Sequence, residues 1–175
     1  ISVYQYGGNR TSSWAVACYA SVDALEVSDT SVLGLGTSID QTKYDTAREN
    51  NLPMNIYLTV TPLDDFTEEA TKVISLTNYT EPGKAFMGVK ITKVNDNRFM
   101  VSWEEYNAET EGSGTEEDTL AGSTLHYVFI DGKGNRISQE YTTGAPISGC
   151  QPVVKGEKVV YYASNKNMVN FYSID

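Results

Sequence analysis

The sequence predicts an all-β fold built from antiparallel four-stranded units, and three observations carry that expectation. Among its 175 residues are 12 Tyr, 5 Phe and 2 Trp, set beside many Thr, Val and Ser. These residue types suit a pleated, half-buried surface. Polar turn clusters punctuate the chain at Gly7-Gly8, Thr80–Gly83, Asn95–Asn97, Asp131–Asn135 and Lys155–Glu157, each rich in residues that tolerate tight backbone. One pattern is also written twice between Ala85 and Asp175. MGVKITKVNDNRFMVSWEEY (Met87–Tyr106) followed by LHYVFIDGKGN (Leu125–Asn135) matches CQPVVKGEKVVYYASN (Cys150–Asn165) followed by MVNFYSID (Met168–Asp175).

Taken in order, ISVYQY (Ile1–Tyr6) alternates as an edge strand that Gly7-Gly8 stops. In Ser12–Val22 the apolar run Ala15–Cys18 suits a buried strand better than a helix, since no longer periodic stretch supports one. Ser31–Asp40 carries Gly34 and Gly36 on one face, which predicts a close backbone approach or a bulge. It lacks the Lys-Ser/Thr of a phosphate loop and the helix start of a dinucleotide site. Asp40–Asn51 is the best place for a helical turn or two, ended by Pro53. Asn55–Pro62 is a clean strand with Ile56, Leu58 and Val60 on one face, and Lys72–Tyr79 is another, joined to it by the acidic Leu63–Lys72. Met87–Val94 and Arg98–Tyr106 flank a hairpin turn at Asn95-Asp96-Asn97. The stretch 107–123 has almost nothing to bury and reads as a flexible acidic insertion. Asp131–Asn135 turns a second hairpin, Pro152 opens an edge strand, and the last turn is Asn165-Lys166-Asn167.

Thirteen basic against 23 acidic residues give a net charge of −10. That field repels nucleic acid and anionic membrane, and no basic stripe reverses it locally. No apolar run reaches the length that spans a bilayer, and no signal-peptide pattern opens the chain. Strand-like residues begin at Ile1, which suggests a longer parent chain or a processed product. Cys18 and Cys150, with 131 residues between them, do not have metal-ligand spacing. They are read equally as a disulfide and as two buried thiols. Few Lys and Arg, many Thr, Ser, Asn and Tyr, and an acidic surface suggest a secreted or cell-surface location. Asn9-Arg-Thr11 and Asn78-Tyr-Thr80 match the glycosylation acceptor pattern, a frequent coincidence in such chains.

Val101-Ser102-Trp103 aligns with Val160-Tyr161-Tyr162 at a separation of 59, and Tyr127–Asp131 with Phe171–Asp175 at 44. The acidic stretch 107–123 accounts for the difference, leaving a period in the mid-forties. Repeat boundaries then fall near 41–85, 86–149 and 150–175. On this pattern the chain resembles secreted or surface-attached bacterial β-propeller-like repeat proteins. No WD dipeptide, kelch double glycine or Asp-box is present to mark a subfamily. The resemblance implies part of a β-propeller, completed by further blades or by another chain, with a β-sandwich as the alternative architecture. Residues 1–175 are thus one β-rich domain or a fragment of a larger propeller.

Candidate chemistry is sparse. His126 is the only histidine and lies in a strand pattern, as a structural residue would. SSWAVACYA resembles a cysteine-protease segment only in passing, because Ser13 stands where the nucleophile would precede Trp14. Glu104 and Glu105 after Trp103 are the least bland pair for glycoside hydrolysis, a reaction that needs two carboxylates facing across a cleft. A core Trp at the end of an inner strand, with solvated acids behind it, is the simpler explanation of them. Asp131 and Asn135 have the alternate spacing of calcium ligands but lack the later acids of an EF-hand. No cofactor is otherwise expected. Trp103, Tyr106, Tyr127 and Tyr162 are the aromatic residues expected to stack on a ligand. The sequence therefore favours a non-catalytic extracellular binding or adhesion module for glycan or protein. A carboxylate-dependent glycan-degrading enzyme and a purely structural segment of a surface protein are the alternatives.

Overall fold

Among the described residues every ladder joins strands that are neighbours in sequence. A computed structural model describes residues 2–5, 9–13, 20–38, 54–80, 84–107, 123–147, 149, 151–165 and 168–175. The helical turn expected over 40–51, most of the acidic insertion, and both Cys18 and Cys150 lie outside these residues. The chain divides into two compact units, Ile1–Pro82 with Gly132–Asn135, and Gly83–Asp131 with Arg136–Asp175.

In the first unit, β1 (Ser2–Gln5) and β2 (Asn9–Ser13) form a hairpin. A four-stranded meander follows: β3 (Ala20–Val27), β4 (Ser31–Ser38), β5 (Asn55–Pro62) and β6 (Lys72–Ser75), in that order across the sheet. Antiparallel register puts Leu33 opposite Val60, Leu35 opposite Leu58 and Thr37 opposite Ile56, so one face is apolar and buried. The alternate glycines of β4 serve the other face. A Cβ on Gly34 would stand 2.6 Å from Thr59 Oγ1, and that hydroxyl instead donates 3.1 Å to the Gly34 carbonyl. This is the close approach the glycine spacing predicted. Asn55 locks the end of β5: its Nδ2 donates to the Tyr79 carbonyl at 3.1 Å, while its Oδ1 accepts from Tyr79 N at 2.6 Å and Thr77 Oγ1 at 3.0 Å. Gly134, at φ +80°, leaves no room for a side chain beside Val60, Leu58 and Ile74, and the Gly132 carbonyl accepts from Ser28 Oγ at 2.9 Å.

In the second unit, β7 (Lys84–Asn95), β8 (Arg98–Asn107), β9 (Thr124–Ile130) and β10 (Tyr141–Thr143) form a sheet ordered β10-β9-β8-β7. A second sheet is β11 (Val153–Lys155), β12 (Lys158–Asn165) and β13 (Met168–Ile174). Asn95 Oδ1 accepts from Asn97 N at 2.9 Å, so the β7–β8 turn satisfies its own backbone. Met100, Leu125 and Phe129 of the first sheet join Val159, Tyr161 and Ile174 of the second, with Ile147, in one core. Each such large apolar side chain contributes roughly 1.5–3 kcal/mol by leaving water. The opposite face of the first sheet is buried too, through Ile91, Phe99, Val101, Trp103, Val128 and Ile130.

An all-β fold is observed, but the propeller resemblance and the repeat are overturned. Among the described residues the sheets are open, with four, four and three strands beside the small hairpin, and none of them closes into a barrel or forms a propeller. The two aligned motifs do occupy middle strands, β8 and β12. Their likeness is what any three-strand meander shows, because alternation and turn residues recur wherever strands reverse. In the second unit the two copies sit in facing sheets of one sandwich and share its core. The β-sandwich alternative describes that unit.

Candidate functional site

Strand β8 carries four of the residues singled out for chemistry, Trp103, Glu104, Glu105 and Tyr106, and alternation divides them between two faces. Met100, Ser102, Glu104 and Tyr106 fall on the sandwich side; Phe99, Val101, Trp103 and Glu105 fall on the other.

Glu104 is 1% exposed. Its Oε2 accepts from Ser123 Oγ at 2.8 Å, and its Oε1 accepts from the Ile147 backbone N–H. Burial pushes its carboxyl above the usual carboxylate range. The Ile147 and Ser123 hydrogen bonds, then the Lys90 and His126 charges, partly oppose that shift. Lys90 owes its place to a bulge. Between the pairs Met87–Glu104 and Lys90–Ser102, β7 spends one more residue than β8, and Gly88 takes φ +62°. The extra residue turns Lys90 onto the Glu104 face, where its Nζ donates to the Gly149 carbonyl at 3.5 Å. Tyr161, in the same core, has its phenol pushed up to about 12 by burial and then by the Glu104 charge. Its hydroxyl donates to the Ala145 carbonyl at 3.3 Å. The centre ties Ala145, Ile147 and Gly149 to Tyr161, Glu104 and Lys90, and Glu104 itself is buried.

On the other face the fully buried Trp103 stacks on His126, with ring centres 5.5 Å apart. His126 Nδ1 lies 2.8 Å from Glu140 Oε1, and its Nε2 lies 3.7 Å from Glu105 Oε2. Glu105 and Glu104 therefore point to opposite sides of one strand and do not face each other across a cleft.

Where the sandwich face runs past the core, it opens. Arg98, Tyr127, Phe129, Ile137, Ser138, Tyr141 and Asp175 line a cleft of about 410 Å³. Tyr127 and Tyr141 are directly opposite on β9 and β10 and stack with centres 5.2 Å apart. Phe129 meets Tyr127 edge-on at 6.1 Å, and the Arg98 guanidinium lies 4.1 Å from the Phe129 ring centre. Ser138 Oγ accepts from Phe129 N at 2.9 Å, which fixes the wall, while Asp175 pairs with Lys158 at 2.6 Å. Burial, then Tyr141, raises the Tyr127 phenol above its ordinary value.

The four aromatics expected to bind ligand are thus not brought together. Trp103 is buried, Tyr106 lies at the far end of β8, and Tyr162 lies on the outer face of β12 beside Phe171 at 6.2 Å. That outer face leaves Val153, Val169 and Phe171 exposed. Tyr127 alone opens into the cleft, with partners that sequence reading missed. Turn spacing gave no signal for this pair: the Ile130–Arg136 bridge, continued regularly, would set Tyr127 opposite Gln139, and an irregularity of two residues before β10 brings Tyr141 there instead. For the calcium alternative, Asp131 is half-buried, Asn135 is exposed, and the intervening Gly132 carbonyl is held by Ser28. Among the described residues, no group of three or more His, Cys, Asp or Glu side chains is placed to hold a metal. None of their helices is long and apolar enough to cross a membrane. Fold and geometry define an all-β chain with a sandwich unit and a buried carboxylate clamp. In comparisons with family models, curated proteins and solved structures, nothing matches the chain.

Proposed function

We propose that this chain is a non-catalytic, structural β-rich module of a secreted or cell-surface protein. The carrying observation is the use made of its most reactive-looking stretch. Trp103 is 0% and Glu104 1% exposed, and both carboxylate oxygens of Glu104 hold the fold rather than face solvent. Replacing Trp103 by Ala removes a fully buried indole and should cost about 3–5 kcal/mol of stability, measured by urea denaturation. Trp103→Phe should cost less and remain folded. Full stability of both variants would argue against the structural role. Release of reducing ends from polysaccharide, abolished by Glu104→Gln in a folded protein, would establish an enzyme instead.

A second reading, recognition of glycan or protein, is favoured by one feature. Tyr127 and Tyr141 stack beside an open cleft instead of closing it.

A further inference from the structure

We propose that the cleft of the second unit binds a neutral saccharide, with Tyr141 and Tyr127 forming the aromatic wall and Arg98 and Asp175 supplying its polar contacts. This inference rests on the recognition reading and commits it to a place and a ligand class. The cleft, about 410 Å³, has the size of a site for one or two sugar rings rather than for a protein surface. Its wall is aromatic and rigid. Tyr141, 38% exposed, is braced by the Tyr127 ring behind it, and Tyr127 by the edge of Phe129. Such a wall suits the flat C–H face of a pyranose.

The polar groups narrow the ligand further. Arg98 brings a donor fork, held over Phe129, and Asp175 brings an acceptor, anchored by Lys158. With one cation and one anion in the same cleft, an anionic ligand meets the carboxylate and a cationic one meets the guanidinium. A ligand that offers closely spaced hydroxyls, each donor and acceptor, satisfies both without charge. A peptide adding as a strand is disfavoured, because the edge strand here, β10, is only three residues long.

The test is a 1H–15N NMR titration of the whole chain with cellotetraose, maltotetraose and chitotetraose, each to about 20 mM, since dissociation constants near 1 mM are expected for so shallow a site. Sialyllactose serves as the anionic comparison. Saturable shifts at Arg98, Tyr127, Phe129 and Tyr141 with at least one neutral tetrasaccharide would support the proposal. So would a roughly tenfold loss in Tyr141→Ala, a variant whose melting should stay close to the parent because the ring is partly exposed. Asp175→Asn, which keeps the shape, should weaken the same titration. The proposal is overturned if none of the three sugars moves these amides, or if sialyllactose binds as tightly as the neutral sugars. Sugar shifts confined to Tyr162 and Phe171 would also overturn it while leaving the recognition reading standing. The same holds for a tetrapeptide mixture that moves the cleft amides where sugars do not. Silence with every sugar and with the peptides would remove the recognition reading itself.

Discussion

Ser102 sits on the sandwich face of β8 between Met100 and Glu104, opposite Lys90 on one side and Tyr127 on the other. Its hydroxyl is buried and has no hydrogen-bond partner among the described residues. A buried unsatisfied hydroxyl costs roughly 1–3 kcal/mol, whereas a methyl at the same place costs nothing of that kind. Ser102→Ala should therefore be neutral or stabilising by about 1 kcal/mol in urea denaturation, and a clear destabilisation would show that the hydroxyl is satisfied in solution. Glu104, two residues on, makes the opposite case: a polar side chain fully used. Its folded carboxyl is held above the ordinary carboxylate range by burial, so the folded protein keeps that proton more tightly than the unfolded chain does. The stability this contributes is complete below the unfolded value and is lost as pH rises through the raised folded value. Glu104→Gln, which still offers an oxygen to Ile147 N–H, removes that dependence. The melting temperature of the parent should fall relative to the variant as pH rises above the ordinary carboxylate range, and parallel curves would contradict the raised carboxyl.

At the scale of elements, the β7 bulge decides which charges meet. A regular ladder after the Met87–Glu104 pair would bring Val89, not Lys90, opposite Ser102; the extra residue brings Lys90 there instead. Gly88 makes this cheap because φ +62° suits glycine. A Cβ there would meet nothing closer than 3.9 Å, so the cost of substitution is backbone strain rather than collision. Gly88→Ala should lose about 1–2 kcal/mol and Gly88→Asn less, since Asn tolerates that conformation better. Equal losses in chemical denaturation would point to another cause. The same bulge shows why legibility in the sequence was uneven. Asn55–Pro62 alternated cleanly and is β5 over those same residues, and the Asn95–Asn97 turn carried its own hydrogen-bonding chemistry. MGVKIT alternated as well, yet nothing in its pattern says that one residue drops out of the ladder. The sidedness of Trp103, Glu104 and Glu105 was readable from alternation. Which side would be buried was not, because both faces of that sheet are covered. The cleft escaped for a related reason, since Arg98, Tyr127, Tyr141 and Asp175 come from four strands or their ends and meet through an irregular β9–β10 connection and the packing of two sheets.

At the scale of the whole molecule, contiguity in sequence and contiguity in space part company at one point. Gly132–Asn135 follow β9 in the chain but belong to the first compact unit. Within that unit Gly134 lies where a Cβ would be 2.6 Å from Val60 Cγ2 and 3.0 Å from Leu58 Cδ2, and Ser28 holds the Gly132 carbonyl. The strain-tolerant φ of +80° and the lack of a side chain are both required there. A fragment ending at Pro82 lacks these four residues, so Leu58, Val60 and Ile74 lose that cover and Ser28 loses an acceptor. The expected outcome is a fragment with retained strand signal in far-ultraviolet circular dichroism, broadened melting, and binding of a hydrophobic dye. In the full chain, Gly134→Ala should reproduce a milder form of the same loss, a few kcal/mol from overpacking and strain together. Gly156, at φ +65° with open space around it, separates the two contributions: Gly156→Ala should show only the backbone cost of about 1–2 kcal/mol. If the Gly134 and Gly156 variants melt alike, and the fragment melts as sharply as the full chain, the tetrapeptide is a passive turn and the first unit is complete without it.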